Sequence, residues 1–215
     1  MTPSDRLTET EIIHRILGGE KSLYEIIVRR FNACLYKVGR SYHYSHEDTQ
    51  DLMQETFIDA YKNLSAFEGR STFKTWIIRI MLNNCYRKSE RSAFTKMTTQ
   101  EVHENAKPMF TTSNEDTGKI VQNRELGHII EEALARIPLD YRMTFSLREI
   151  TGLNVSETAS LLNISEANVK VRLNRAKAML RNTIEKTYSA GELFEFNLVY
   201  CDAIVENVMK KIHEL

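Results

Sequence analysis

Apolar residues recur every three or four positions over most of this chain, and that spacing constrains its fold more than any other feature. The pattern runs from about residue 8 to residue 92 and again from 126 to 186. A period near 3.6 predicts α-helices that each bury one face. Only three prolines and eight glycines occur among 215 residues, which disfavours a turn-rich sandwich or barrel. The sequence therefore predicts an all-α protein.

The helical period is lost between residues 93 and 125, where Thr, Asn, Gln and acidic residues dominate. At about 33 residues this stretch is too long for an ordinary connection within a domain. We therefore expect two small helical domains, 1–92 and 126–186, joined by a flexible, acidic linker. The tail, 187–215, carries a heptad seam that predicts an amphipathic helix packed against one of the two domains. The seam residues are Phe194, Leu198, Cys201, Val205, Val208, Ile212 and Leu215.

Charge is segregated along the chain although the net charge is zero. Residues 63–96 carry seven basic side chains and two acidic ones, and residues 165–186 carry six and two. Between them, residues 97–132 carry three basic and seven acidic side chains, and the tail, 187–215, carries two and five. Two basic helices divided by an acidic segment predict two contacts with a polyanion such as DNA.

Several classes of protein are disfavoured by what the sequence lacks. No apolar run approaches the roughly 18 residues that a membrane span needs, and the N-terminus does not resemble a signal peptide. Cys34, Cys85 and Cys201 are widely spaced, and His43 and His46 lack further ligands for a metal. No phosphate-binding loop, nucleophile elbow or dinucleotide-binding glycine pattern occurs. We therefore expect a cytoplasmic protein without membrane insertion that is not an enzyme and holds no cofactor or metal.

Residues 155–181 follow a helix-turn-helix pattern. Ala159 is small where a second helix must approach, Asn163 tolerates the left-handed conformation of the turn, and Ser165 can cap the next helix. That second helix places its aliphatic residues inward and its basic residues outward, as a helix that enters the DNA major groove does. A plain helical hairpin of a bundle core is the alternative interpretation. The inward residues are Val169, Leu173 and Ala176.

Two stretches resemble the bacterial extracytoplasmic-function sigma factors. The sequence EDTQDLMQETFIDAYKNLSAFEGRSTFKTWIIRIMLNNCYRK, Glu47–Lys88, is similar to the family's domain two, and Leu134–Arg181 is similar to its domain four. The resemblance implies an alternative sigma factor that binds core RNA polymerase, recognises promoter DNA and melts it for transcription initiation. It also implies an anti-sigma factor as a partner. A free-standing helix-turn-helix regulator, which binds duplex DNA without polymerase, is the competing hypothesis.

The resemblance assigns roles to individual positions. The predicted helix that contains DLMQETF, residues 51–57, would bind polymerase, although Phe57 and Ile58 are equally well interpreted as core. The segment AFEGRSTFKTW, residues 66–76, and the helix that continues from it would bind the −10 element and capture an unpaired base. Trp76 is equally well interpreted as a core residue of that helix. The polymerase-binding residues are Asp51, Gln54, Glu55, Phe57 and Ile58. The −10 residues are Arg70, Ser71, Thr72, Phe73, Lys74, Trp76, Arg79, Asn83, Arg87 and Lys88.

Domain four would read the −35 element through the second helix of its helix-turn-helix. The family usually has a Ser directly after the Lys or Arg of this helix, whereas this chain has Val171. A valine cannot donate a hydrogen bond, but it can contact a thymine methyl group. The −35 residues are Ser165, Asn168, Lys170, Val171, Arg172 and Arg175.

Overall fold

The computed structural model describes residues 7–95, 127 and 129–187 of the chain, and the regular elements within these residues are helices. Residues 93–95, predicted to begin the linker, continue the helix Phe73–Thr95 instead, whereas the rest of the predicted linker and the seam of the predicted C-terminal helix lie outside the described residues. The all-α prediction is confirmed for the part of the chain that is described.

The helices form two groups along the sequence. In the first group, 3₁₀ turns at Lys21–Leu23 and Leu64–Ala66 lie between the longer helices. In the second group, a π-helix at Ser146–Ile150 follows directly on the second helix. The first group comprises α1 (Glu9–Leu17), α2 (Tyr24–Ser41), α3 (His46–Lys62) and α4 (Phe73–Thr95). The second comprises α5 (129–135), α6 (Leu139–Phe145), α7 (Val155–Leu162) and α8 (Glu166–Thr187).

Local sequence signals explain where α1 to α3 begin. Thr8 and Glu11 form a reciprocal capping box at the start of α1, which satisfies two free backbone amides. Ser45 caps α3 by accepting a hydrogen bond from the Asp48 amide at 3.0 Å. From the sequence, Ser22 could cap α2, but it does not. Ser22 lies inside the 3₁₀ turn, and α2 follows that turn without a side-chain cap.

Helices α2, α3 and α4 pack closely around one glycine. A Cβ atom on Gly39 would lie 2.7 Å from the Thr49 Cγ2 atom of α3 and 2.8 Å from the Met81 Cε atom of α4. Both distances are shorter than van der Waals contact, so only glycine allows this approach. The arrangement brings α3 and α4 side by side and thereby positions the surfaces described below.

The predicted helix-turn-helix is confirmed in its local geometry. Asn163 has φ 53° and ψ 47°, the left-handed conformation predicted at the turn between α7 and α8. The Asn168 amide donates to Ser165 Oγ at 3.2 Å, so Ser165 caps α8. Val169 and Ala176 are fully buried, as expected for the inward face of α8.

The two groups of helices share one apolar core. Met143, Leu147 and Leu153 of the second group are buried in the same cluster as the interior residues of α1 to α4. Arg40 of α2 also forms a 2.6 Å ion pair with Glu131 of α5. In this structure the second group therefore packs directly on the first.

Candidate nucleic-acid interface

A cleft of about 720 Å³ separates the C-terminal part of α3 from the middle of α4. Its lining combines aromatic, amide and cationic side chains, which suits an unstacked base and its phosphates. Four of the predicted −10 residues converge there, all from α4: Trp76, Arg79, Asn83 and Arg87. The remaining lining residues are Asp59, Asn63, Ala66, Ile80, Asn84 and Tyr86.

The two aromatic residues predicted for the −10 surface have different environments. Phe73 is only 2% exposed and packs against Phe31, Phe67 and Trp76, with ring centroids 5.3 to 5.4 Å apart. Its ring thus belongs to the core and supports the loop instead of lining it, which corrects the sequence expectation. Trp76 is half-buried: its ring packs at a tilt against Phe67 and Phe73, and it also lines the cleft. Trp76 therefore belongs partly to the core and partly to the predicted −10 surface.

Tyr86 is a lining residue that the sequence interpretation missed. The helical spacing of the sequence places Tyr86 near the apolar face of α4, which predicts a core residue, yet the side chain is 59% exposed and borders the cleft. The available signal was its place three residues after Asn83, one helical turn further along the predicted DNA face.

The first turns of α4, with Thr72 just before them, contact α7 and the turn that precedes it. Thr75 and Thr72 donate hydrogen bonds from their hydroxyls to Glu157 Oε1, at 2.7 and 3.3 Å. Lys74 Nζ donates to the Thr151 carbonyl, and Arg79 donates to Ser160 Oγ at 2.8 Å. Members of the predicted −10 set are thus engaged by the second group of helices.

The first part of the loop before α4 stays open to solvent. Arg70 and Ser71 are exposed, and the Arg70 guanidinium pairs only with its neighbour Glu68 among the contacts described. This end of the predicted −10 surface therefore remains accessible in the structure.

The cations at the end of the predicted −10 surface are paired with acids of α3. Arg87 lies 3.2 Å from Glu55 and 3.5 Å from Asp59, and Lys88 lies 2.5 Å from Asp48. These acids offset part of the positive charge that the composition of residues 63–96 suggests.

A second, more apolar groove of about 760 Å³ lies between α2 and α3. The predicted polymerase-binding residues divide between its two sides. Gln54, Phe57 and Ile58 line the groove, whereas Asp51 and Glu55 lie on the side of α3 that faces α4. Phe57 is 7% exposed and forms the floor, and Ile58 is 46% exposed. The sequence left open whether Phe57 and Ile58 are core or surface residues. In the structure Phe57 belongs to the core and Ile58 to the surface.

Tyr24 fixes one wall of this groove. Its hydroxyl donates to the Phe57 carbonyl at 2.6 Å, and its ring meets Tyr61 edge to face at 4.9 Å. Burial, and to a lesser degree the neighbouring Tyr61, raises the pKa of Tyr24. The phenol therefore stays neutral and serves as a donor that ties α2 to α3.

The recognition helix α8 exposes most, but not all, of its predicted −35 residues. Ser165, Asn168, Lys170, Val171 and Arg175 are exposed. The side chain of Arg172 is 23% exposed and forms a 3.0 Å ion pair with Asp140 of α6. Arg172 is thereby held against its own helical group in this structure.

Other chemistry is not indicated in the part of the chain that is described. Burial raises the pKa of Cys85 to about 12, so this thiol is protonated and unreactive at neutral pH. Within residues 7–95, 127 and 129–187, no cluster of three metal-ligating side chains occurs. No helix in those same ranges has the length and hydropathy of a membrane span.

Comparison with known proteins places both helical groups in one family. Residues 27–94 match sigma-70 region 2, and residues 127–180 match sigma-70 region 4. The ECF RNA polymerase sigma-E factor of Escherichia coli K12 is 27% identical over 190 residues, which cover 85% of this chain and 97% of the relative. The sigma-E factor of Haemophilus influenzae is 26% identical over 191 residues, covering 85% and 98%.

A solved structure shows the same fold. The sigma factor RpoE of Bartonella quintana, in complex with the anti-sigma factor NepR, aligns with a TM-score of 0.60 and 20% identity. The alignment covers 75% of this chain and 96% of that one.

The helix-turn-helix formed by α7 and α8 places the chain in the class of helical DNA-binding proteins. The matches to both regions, in the same order and over most of the chain, identify the particular family. The chain belongs to the sigma-70 family, as an extracytoplasmic-function sigma factor. It is an alternative sigma factor that directs transcription initiation, and a free-standing helix-turn-helix regulator would not account for region 2.

Proposed function

We propose that three surfaces of this chain divide the work of initiation. The α3–α4 cleft takes an unpaired base of the −10 element, the α2–α3 groove binds core RNA polymerase, and the exposed face of α8 reads the −35 element. The chain then comprises four parts in order: domain two within 1–92, a linker at 93–125, domain four within 126–186 and an extension at 187–215.

The cleft is the observation that carries this proposal. A base leaving the duplex needs an aromatic surface for stacking and polar groups for its edge. Trp76 and Tyr86 supply the rings, Asn63 and Asn83 supply amides, and Arg79 supplies a cation for the backbone phosphates. These groups line one opening of suitable size, which supports melting of the −10 element at this site.

The groove supports polymerase binding by its exposed apolar surface. Ile58 and Tyr61 expose large hydrophobic side chains on α3, with Met53 beside them and Lys21 and Lys62 at the rim. An apolar centre with a polar rim is typical of a protein–protein interface. Gln54 lies in the same groove, whereas Glu55 is paired with Arg87 and contributes to the other face.

Run-off transcription with core RNA polymerase and the purified chain tests the function directly. The Ile58→Ser variant should bind core polymerase about tenfold more weakly, because the few residues that dominate an interface lie near its centre and each costs more than about 1 kcal/mol when truncated. Leu17→Ser is the matched control, since Leu17 is a 54% exposed leucine on α1 that does not line the groove. Equal polymerase affinity for both variants would exclude the groove as the binding site.

The further properties that we propose follow from the family. The protein acts in the cytoplasm, where polymerase and promoter DNA are found, and it is not an enzyme. An anti-sigma factor regulates it, as the complex of the related RpoE with NepR suggests. Co-purification of the native protein, followed by mass spectrometry, tests for such a partner.

A further inference from the structure

The first observation behind our inference is an exposed valine at the centre of the outer face of α8. Val171 is 47% exposed, although it lies only two residues after the fully buried Val169. Two residues rotate an α-helix by about 200°, so Val171 points almost directly away from the side of α8 that contacts α6 and α7. Val171 therefore lies where the early turns of a recognition helix meet the base edges of the major groove.

The second observation is that this valine adds little to the stability of α8. A β-branched residue is a poorer helix former than alanine or leucine, and Val171 lies outside the buried core that could offset this cost. Its neighbours one turn before and after on the same face, Ala167 and Asn174, are exposed as well and are short. A residue that breaks a local preference without burial is better explained by contact with another molecule.

The side chains around Val171 suit a nucleic acid as that other molecule. Lys170 and Arg175 are exposed on either side of it, so positive charge flanks the valine. Arg172 is instead held by its 3.0 Å ion pair with Asp140 and does not occupy the centre of this face. The outer face of α8 thus presents an aliphatic centre between cations that can contact phosphates.

Thymine is the base that complements an aliphatic side chain in the major groove. Guanine, adenine and cytosine present hydrogen-bond donors and acceptors there, whereas thymine also presents its 5-methyl group. The side chain of Val171 can neither donate nor accept, so a polar base edge against it would lose hydrogen bonds to water without replacement. The thymine methyl group, in contrast, gains free energy when it is buried against the isopropyl group of the valine.

We propose that Val171 is a specificity-determining residue that reads the 5-methyl group of one thymine in the −35 element. The inference rests on the proposed role of α8 in binding that element. Lys170 supplies affinity through the phosphate backbone, whatever the sequence, whereas Val171 favours thymine at a single position. Deoxyuridine, which lacks only this methyl group, is therefore a poorer ligand than thymidine at that position.

The test replaces thymidine by deoxyuridine in a selected promoter. Holoenzyme assembled from core RNA polymerase and the full-length chain first selects its promoters from a library of random-sequence duplexes, and the upstream conserved block defines the −35 element. Each thymidine of that block, on either strand, is then replaced in turn, and fluorescence anisotropy gives the affinity of the holoenzyme. At one position deoxyuridine should weaken binding about fourfold, which corresponds to the burial of one methyl group.

Three variants assign that difference to the valine. Val171→Ser removes the aliphatic surface and should bind the thymidine and deoxyuridine duplexes equally well. Val171→Ile keeps the aliphatic surface and should preserve the difference between them. Lys170→Ala is the matched control on the same helix: it should weaken binding to both duplexes alike, because an ammonium group contacts phosphates, and leave their ratio unchanged. Both residues are exposed, so these substitutions leave the core intact.

The inference and the proposed function fail in distinguishable ways. If no sequence is selected, or the selected duplexes do not support run-off transcription, the proposed function is wrong. If sequences are selected and transcribed but their upstream block contains no thymine, or deoxyuridine binds as well as thymidine at every position, the inference about Val171 is wrong. A difference that persists in Val171→Ser would also overturn it, because another residue would then read the methyl group.

Discussion

At the scale of single residues, Tyr86 is the side chain whose role differs most between sequence and structure. We expect Tyr86→Ala to weaken holoenzyme binding to a fork-junction promoter DNA with an unpaired −10 strand by about 1–3 kcal/mol, the usual value of a base stacked on an aromatic ring. Tyr86→Phe keeps the ring and should bind nearly as well as the wild type. Fluorescence anisotropy measures both, and full affinity in the alanine variant would remove Tyr86 from the base site.

The two arginines of α8 make a second comparison at this scale. Arg175 is exposed and contacts only the Tyr141 hydroxyl at 3.5 Å among the contacts described, whereas Arg172 is paired with Asp140. We therefore expect Arg175→Ala to cost about 1–3 kcal/mol of −35 binding and Arg172→Ala to cost less. Electrophoretic mobility shifts on −35 duplexes give the ranking. The opposite order would mean that Arg172 leaves Asp140 when DNA binds.

At the scale of elements, the turn between α7 and α8 depends on one backbone conformation. Asn163 is left-handed, which costs a β-branched residue about 1–2 kcal/mol and costs glycine little. We expect Asn163→Val to lower the free energy of unfolding by about that amount and Asn163→Gly to leave it nearly unchanged. Urea denaturation followed by circular dichroism provides the measurement, and equal midpoints for the two variants would contradict it.

Most helices could be predicted from the sequence because their signals are local. The 3.6-residue spacing, the turn at Gly19 and the cap at Ser165 each act within a few residues. Over residues 141–150 the sequence predicts only a short helix, whereas the structure has a π-helix at Ser146–Ile150. Apolar spacing alone does not distinguish i→i+4 from i→i+5 hydrogen bonding.

The site was less predictable because exposure depends on contacts between distant elements. Phe73 and Tyr86 lie on one helix and are both aromatic, yet one meets Phe31 of α2 and the other faces the cleft. Whether Arg172 is free depends on Asp140, which is 32 positions earlier in the chain. One sequence alone does not show which residues distant along the chain are in contact.

At the scale of the whole molecule, the shared core links the stability of the two groups of helices. Leu147 is fully buried in the common cluster, and its π-helix contacts α2. We expect Leu147→Ala to lower stability by about 2–5 kcal/mol and to speed amide hydrogen exchange in α2. Val169→Ala is the control, because Val169 is equally buried but lies outside the common cluster. Unchanged exchange in α2 in the Leu147 variant would show that the groups unfold independently.

The position of Trp76 gives the protein a built-in optical probe. It is the single tryptophan in 215 residues, and its indole lies between the Phe67–Phe73 aromatic cluster and the open cleft. A base that stacks in the cleft should quench its emission, so an unlabelled wild-type chain reports strand capture in real time. The helix α8 does not line this cleft, so −35 binding should not change Trp76 fluorescence directly. The fluorescence should therefore report melting of the −10 element and not recognition of the −35 duplex. Stopped-flow measurements on this one fluorophore would then order the two events during initiation.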